Sequence, residues 1–391
     1  LYNNDYFYRY GNNLGLALLF SCYYRLFSLF GITNYLTLGI LLNIVMIDLA
    51  VLFLYKIIIK YTDKRHSSFY LMLILIFTPF ITYVPIFYTD TLSMPFIVGG
   101  LYYYLIATEK DNNKLKYLIL SGLLFGIGAT IKITSLILLI AILIFEFINY
   151  NKYQLKKKAK ITIVLIITSV IPLLILSSYK ENKFNKYELN SKEFPYTHWI
   201  MMGMYDIGVY HNEDVIYTSS FNTIEKKKKA NIALIKERFN KKIKNGTLIK
   251  EYTNKIVFVF GDGTFFAPEK LHREPKKNNI NFKKYIIDSK YNRLYLNVAQ
   301  IEWLVCFMFI LIGIVFRKKL SNDQRRIQLI SIITIFGLFI FFLLWEARSR
   351  YLVNMIPILL LAGYTGIESI IQKIKNKNEE KKIWKKSPYY I

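Results

Sequence analysis

The sequence predicts an all-α polytopic membrane protein, and three observations carry that prediction. Of 391 residues, 54% are hydrophobic and 17% aromatic, well above an ordinary soluble domain. The apolar residues gather into runs near the length needed to cross roughly 30 Å of hydrocarbon as a helix. Between the runs the basic residues collect in clusters. The formal charge of +26 does not point to nucleic acid, because the clusters lack any reader motif. Heavy use of Ile, Lys, Asn and Tyr reads partly as codon bias of an AT-rich genome. Cys22 and Cys306 both lie inside apolar runs and form no disulfide framework. His66, His198, His211 and His272 have no metal spacing, so no metal site or cofactor is indicated, although a divalent metal is not excluded.

In chain order, residues 1–13 are polar and aromatic and lead into 14–30, an apolar stretch interrupted by Tyr23, Tyr24 and Arg25. Apolar runs follow at about 36–59, 69–87, 92–107, 115–131, 133–149 and 161–178. After a polar island at 179–299 come runs at about 300–316, 327–345 and 351–371. The divisions are an N-terminal membrane bundle (1–178), a long outer loop region (179–299), C-terminal spans (300–371) and a basic tail (372–391). Lys and Arg concentrate at 60–65, 110–116, 152–160, 317–326 and in the tail, which the positive-inside rule places in the cytoplasm. The loops holding Asp90, Lys132, the island and Glu346 to Arg350 then share the outer face. This alternation closes if 14–30 lies in the outer interface with its tyrosines and Arg25 at headgroup level. A spanning 14–30 is the alternative. About nine spans result. Within the island, Ile232, Leu234, Ile235 and Phe239 have amphipathic helical spacing among the lysines from Lys226 to Lys250, predicting a helix laid against the membrane domain.

Four groups of residues on the outer face are candidates for chemistry. Asp90, in Phe87-Tyr88-Thr89-Asp90-Thr91-Leu92-Ser93, places a carboxylate between two apolar runs. At the hydrocarbon centre such a charge costs roughly 2.5–3.5 kcal/mol or more, so it belongs at the surface or in a wet cavity, as a catalytic group or as a polar turn residue. Lys132 sits in a tight connection, where lysines either bind a ligand or snorkel to the headgroups. In Trp345-Glu346-Ala347-Arg348-Ser349-Arg350-Tyr351, Glu346 and Arg350 are four apart and can pair on one helical face, whereas Arg348 has no local partner. Arg and Lys beside lipid suit a lipid-linked phosphate, because guanidinium forks grip phosphate oxygens. His198, beside Trp199, is a base or a packed core residue. Gly261-Asp262-Gly263-Thr264 is first a turn signal, since no helix and Lys-Ser/Thr pair follow it as a phosphate loop requires.

The order of these features resembles the GT-C superfamily of integral-membrane glycosyltransferases, in the bacterial branch similar to protein O-mannosyltransferases and aminoarabinose transferases. The resemblance rests on the YTDTLSMPF turn, the lysine turn Thr130-Ile131-Lys132, the HWIMMG and GDGTFF segments of one long loop, and the late ARSRYLVNMIPILL segment. It spans most of the chain through diffuse motifs. What it implies is a GT-C-like bundle in the cell membrane that moves a sugar from a polyprenyl-phosphate donor to a cell-envelope acceptor at the extracytoplasmic face. Membrane lipid is then a partner and nucleic acid is not. Asp90 is the catalytic candidate within the sequence, with Lys132, His198, Glu346, Arg348 and Arg350 binding substrate. The superfamily's usual catalytic Asp lies just after a first span. Because LYNNDYFYRYGNNLGLALLF resembles the second half of that first loop, this Asp is expected upstream of Leu1, and Asp5 is a poor substitute. The competing class is a polysaccharide flippase or other transporter. Transporters commonly show repeats or Gly/Pro-broken helices, and no repeat is evident here.

Overall fold

The computed structural model describes residues 5–62, 64–109, 115–148, 155–273, 283–287 and 291–386. The predicted inner loops at 110–114 and 149–154, and residues 387–391 of the tail, lie outside the described residues. Helix dominates, and no strand occurs among the described residues. The helices are α1 Asp5–Arg9, α2 Leu14–Ser28, α3 Tyr35–Tyr61, α4 Lys64–Leu75, α5 Thr78–Thr82, α6 Thr89–Leu92, α7 Met94–Ala107, α8 Leu115–Ile131, α9 Leu136–Ile148 and α10 Leu155–Lys183. The island contributes α11 Lys186–Lys192, α12 Tyr196–Gly203, α13 Asn212–Ser219, α14 Ile224–Lys244, α15 Leu248–Phe260 and α16 Ala267–His272. Then come α17 Asn292–Val315, α18 Asn322–Leu344, a 3-10 turn Ser349–Met355 and α19 Ile356–Lys386.

Five segments are long and apolar enough to cross a membrane by length and composition: α3, α10, α17, α18, and Ser349–Lys377 through the 3-10 turn into α19. The run at 69–87, predicted as one span, is broken instead. α4 ends at Leu75 and the chain restarts in α5 with a proline in its first turn, Pro79, which lacks an N–H and disfavours helix in the residue before it. The orphan N–H of Thr78 there is taken by Glu302 Oε2 at 2.8 Å. With 15 residues, α2 reaches about 22 Å at 1.5 Å per residue, short of the hydrocarbon thickness.

Apolar packing builds one principal core through the bundle. α8 lies between α7 and α10, while α19 lies between α17 and α18. The α8–α10 contact depends on two glycines four apart. A Cβ on Gly122 would fall 1.8 Å from Thr168 Oγ1, and one on Gly126 would fall 2.4 Å from the Ser169 carbonyl. Small residues at this spacing let helix backbones meet closely where no hydrophobic effect drives association.

The polar groups separate to the two ends of the bundle. At one end Lys60 pairs with Glu109 at 2.5 Å, Gln324 Nε2 donates to the Tyr61 carbonyl at 2.9 Å, and Tyr70 Oη donates to Glu368 at 2.9 Å. The other end gathers Asp90, Lys132, the Ser349 turn and the island. Loops grouped by their Lys and Arg content thus meet at a common end.

In the island, α14 is N-capped by Thr223 Oγ1 on the Lys226 N–H. It packs chiefly on α12 and buries Lys227, Asn231 and Lys242, while Ile232 and Phe239 are exposed. Its buried face is therefore polar, not the predicted apolar stripe set against the membrane domain. The reason is that the lysine stems cover the neighbouring surface while their ammonium groups find carbonyls. Lys227 Nζ bonds the Ser191 carbonyl at 2.5 Å and that of Glu193 at 3.2 Å.

Candidate functional site

Asp90 lies in the first turn of α6, where a carboxylate is favoured by the helix dipole, and it is buried. α7 restarts at once with Pro95 in its first turn, so the acidic turn is pinned against the bundle end. From across the bundle Lys132 reaches it. The Lys132 N–H closes α8 on the Gly128 carbonyl at 2.8 Å, its backbone then extends, and its ammonium pairs with Asp90 Oδ1. It also donates to the Tyr351 carbonyl at 3.3 Å and lies 5.3 Å from the Tyr351 ring centre. Lys132 therefore points inward and does not snorkel. Burial pulls its pKa below the usual lysine range, and the Asp90 carboxylate opposes that shift.

The arginine segment differs from its predicted local geometry. Residues 345–348 are not helical, and an i,i+4 pair needs a helix. Glu346 consequently pairs with Arg348, 3.3 Å from its Nε, and not with Arg350. Freed from Glu346, Arg350 turns to Asp90, its Nη1 4.0 Å from Oδ2. Its guanidinium lies between two rings, 5.5 Å from Tyr88 and 5.0 Å from Tyr351, within cation–π range. Its Nε and Nη1 are buried and make no hydrogen bond.

The island supplies the support. Asp262 Oδ1 accepts from the Thr264 N–H at 2.9 Å and Thr264 Oγ1 at 2.6 Å. Its Oδ2 accepts from the Phe266 N–H at 2.8 Å and Ser349 Oγ at 2.6 Å. Gly-Asp-Gly-Thr is thus a structural turn, and it holds Phe265 and Phe266 at positive φ (53° and 67°). The turn sets α16 over the cluster. Lys270 lies 5.5 Å from the Tyr88 ring, and Arg348 lies 5.3 Å from that of Phe266. Burial brings the Lys270 pKa down to about 8, with Arg350 as the next cause and Asp90 opposing.

Of the residues singled out in the sequence, Asp90, Lys132 and Arg350 meet directly, and the Glu346–Arg348 pair stands beside them around Tyr351. His198 does not join them. It is fully buried, bonded through Nδ1 to Thr218 Oγ1 at 2.7 Å and packed against Phe194 and Trp199. Burial lowers its pKa to about 4. This is the environment of a packed, neutral core histidine, and the substrate-binding role given to it finds no support in its position. Asp5 is exposed and pairs with Lys192 at 2.8 Å.

Lys270 is the site residue that sequence reasoning missed, while Tyr88 and Asp262 lie within stretches it singled out, the Asp90 turn and the Gly-Asp-Gly-Thr turn. Lys270 follows the Gly-Asp-Gly-Thr turn within Phe-Ala-Pro-Glu-Lys, and its proximity to that turn was the one signal available. Among the described residues, no group of three or more His, Cys, Asp or Glu side chains could hold a metal ion.

Residues 2–370 match the model of a family described as conserved hypothetical integral membrane protein. The chain belongs to that family. No match is found among curated proteins or among solved structures. In an integral membrane protein of this family, the five long apolar segments are the candidate spans and the Asp90 cluster caps one end of them. Lys132, Lys270, Arg348 and Arg350 stand there with the carboxylates of Asp90, Asp262 and Glu346, and Glu269 precedes Lys270 in α16. The Asp262 oxygens are already occupied by the turn.

Proposed function

We propose that this protein is a glycosyltransferase that moves a sugar from a polyprenyl-phosphate donor to a lipid, glycan or protein acceptor at the outer face of the cell membrane. The single observation that carries the proposal is the convergence of Lys132, Arg350, Arg348 and Lys270 around Asp90 and two tyrosine rings, at the end of an apolar bundle. The apolar surface suits a prenyl chain, and the cations suit its phosphate. The GT-C resemblance of the sequence supports the same chemistry and a bundle of about nine spans, in which α4 together with α5 and the shorter helices α7, α8 and α9 also cross.

The acceptor hydroxyl attacks the anomeric carbon as the bond from that carbon to the phosphate oxygen breaks. The electron pair leaves with polyprenyl phosphate as an anion. Fixed positive charge stabilises that anion without protonating it, which is the role given to Arg350, Lys132 and Arg348. The hydroxyl proton passes to a carboxylate base, in the manner of inverting sugar transfer, and that part is given to Asp90, the carboxylate at the centre of the cluster. Asp90 faces Lys132 and Arg350 with its two oxygens, so it also holds those cations in place.

The test is sugar transfer by the purified protein in nanodiscs, supplied with a polyprenyl-phosphate hexose and a hydroxyl acceptor. Release of polyprenyl phosphate together with a glycosylated product supports the proposal. Tight donor binding with translocation and no bond cleavage would move the protein to the transporter class.

A further inference from the structure

A second polar pocket lies at the other end of the bundle. α7 begins four residues after Asp90 and ends at Ala107, so its 14 residues separate the two ends by about 21 Å at 1.5 Å per residue. Thr108, Phe145, Glu146, Lys157, Lys158, Ile161 and Arg326 line a cavity of about 120 Å³, many times the space one water needs. Its residues come from the end of α7, from α9, from the start of α10 and from α18, all in regions the positive-inside rule assigns to the cytoplasmic side.

The chemistry of the lining is that of an anion site. Arg326 is stacked 4.8 Å from the Tyr104 ring and 5.7 Å from that of Phe145. Its Nη2 donates to Thr108 Oγ1, while its Nε is buried and has no hydrogen-bond partner. A buried guanidinium N–H left unpaired is costly. Glu146 accepts from Tyr104 Oη and stands 4.0 Å from Lys158 Nζ, so that carboxylate is shared with a lysine already. Lys157 is exposed at the rim. Among the described lining residues, Arg326, Lys157 and Lys158 stand against the single carboxylate of Glu146, which acts on both Arg326 and Lys158, and the fork and the ammonium groups match the oxygens of a phosphate.

We propose that this pocket binds a phosphate group, carried either by an anionic lipid headgroup or by free phosphate, at the membrane end opposite the Asp90 cluster. The Arg326 fork grips the oxygens from within, with Lys157 closing from the rim. The site is independent of the sugar-transfer proposal, and its test needs no turnover.

The experiment is native mass spectrometry of the intact protein released from detergent micelles, titrated with dihexanoyl phosphatidylglycerol, dihexanoyl phosphatidylcholine or inorganic phosphate. Phosphatidylglycerol is expected to bind in preference to phosphatidylcholine. Arg326→Gln and Lys157→Gln are each expected to weaken it about tenfold or more, the scale of one charge-assisted hydrogen bond. Failure of inorganic phosphate to compete identifies the lipid headgroup as the source; competition with the same sensitivity to both variants identifies free phosphate. Lys157→Gln keeps the test open should Arg326→Gln fail to fold, because Lys157 is exposed. Binding that both folded variants leave within twofold of the parent, or no binding of either anion, would overturn the proposal and leave the Arg326 Nε served by water.

Discussion

Arg350 Nη1 stands 4.0 Å from Asp90 Oδ2, while Lys132 takes the other oxygen of the same carboxylate. One buried anion therefore orders two cations from different helical segments. Removing it leaves both uncompensated, and breaking a buried pair commonly costs about 3–5 kcal/mol. Asp90→Ala is expected to lower the thermal midpoint strongly in detergent. Asp90→Ala combined with Lys132→Met should lose less than the sum of the single variants, as coupled neighbours do. Additive losses would show that the two side chains do not interact.

The Asp262 carboxylate accepts four hydrogen bonds that join the island turn to Ser349. Asp262→Ala leaves backbone N–H groups of a strained turn unpaired, at about 1–3 kcal/mol for each buried donor. Local opening of residues 262–272 is the expected result, read as faster hydrogen exchange there than in α3 or α10. Unchanged exchange in that segment would show that the turn holds without its carboxylate.

Lys255 gives a pH signature. It is fully buried, with Nζ on the Gly203 and Leu343 carbonyls at 2.6 and 3.2 Å, and burial brings its pKa to about 7 from 10.5. Between those pH values the unfolded chain binds the additional proton, so stability rises with pH, by at most about 1.4 kcal/mol per pH unit from this group. Below pH 7 both states are protonated and the contribution is flat. The thermal midpoint of the parent, measured against Lys255→Met, is expected to rise from pH 7 to pH 9. A constant difference over that range would mean that Lys255 keeps its ordinary pKa.

Topology is open to cysteine labelling in a Cys22→Ser background, because Cys22 is exposed and Cys306 buried. Ile249→Cys, at a highly exposed island position, should react with an impermeant maleimide added to intact cells. Lys156→Cys should react only after permeabilisation. The opposite pattern would reverse the orientation drawn from the lysine and arginine loops.

Much of the fold was legible because hydropathy and basic clusters are one-dimensional signals of a bilayer. The runs at 36–59 and 161–178 appear as α3 and α10, extended by their polar ends. The run at 69–87 misled because its composition is apolar throughout, and the break at Thr78-Pro79 depends on one residue and a partner, Glu302, more than two hundred positions away. At the site, Asp90 and Lys132 were visible as charges out of place between apolar runs. The Glu346–Arg350 pairing was misread because spacing alone assumes a helix, and residues 345–348 are not helical. Lys270 was invisible because its place over Tyr88 comes from the Asp262 turn. His198 looked chemical by residue type, and only its packing shows it enclosed by Phe194, Trp199 and Thr218.

The most direct measurement of the central claim is equilibrium binding of a short-chain polyprenyl phosphate to the purified protein, compared with Arg350→Gln at matched thermal stability. A bidentate or charge-assisted contact to phosphate is worth about 1.5–3 kcal/mol, so the variant is predicted to bind roughly tenfold to a hundredfold more weakly, while the unphosphorylated prenyl alcohol binds both proteins alike. Equal affinity of parent and variant for the phosphate would contradict the account, because the cations gathered around Asp90 would then serve only to hold the fold together.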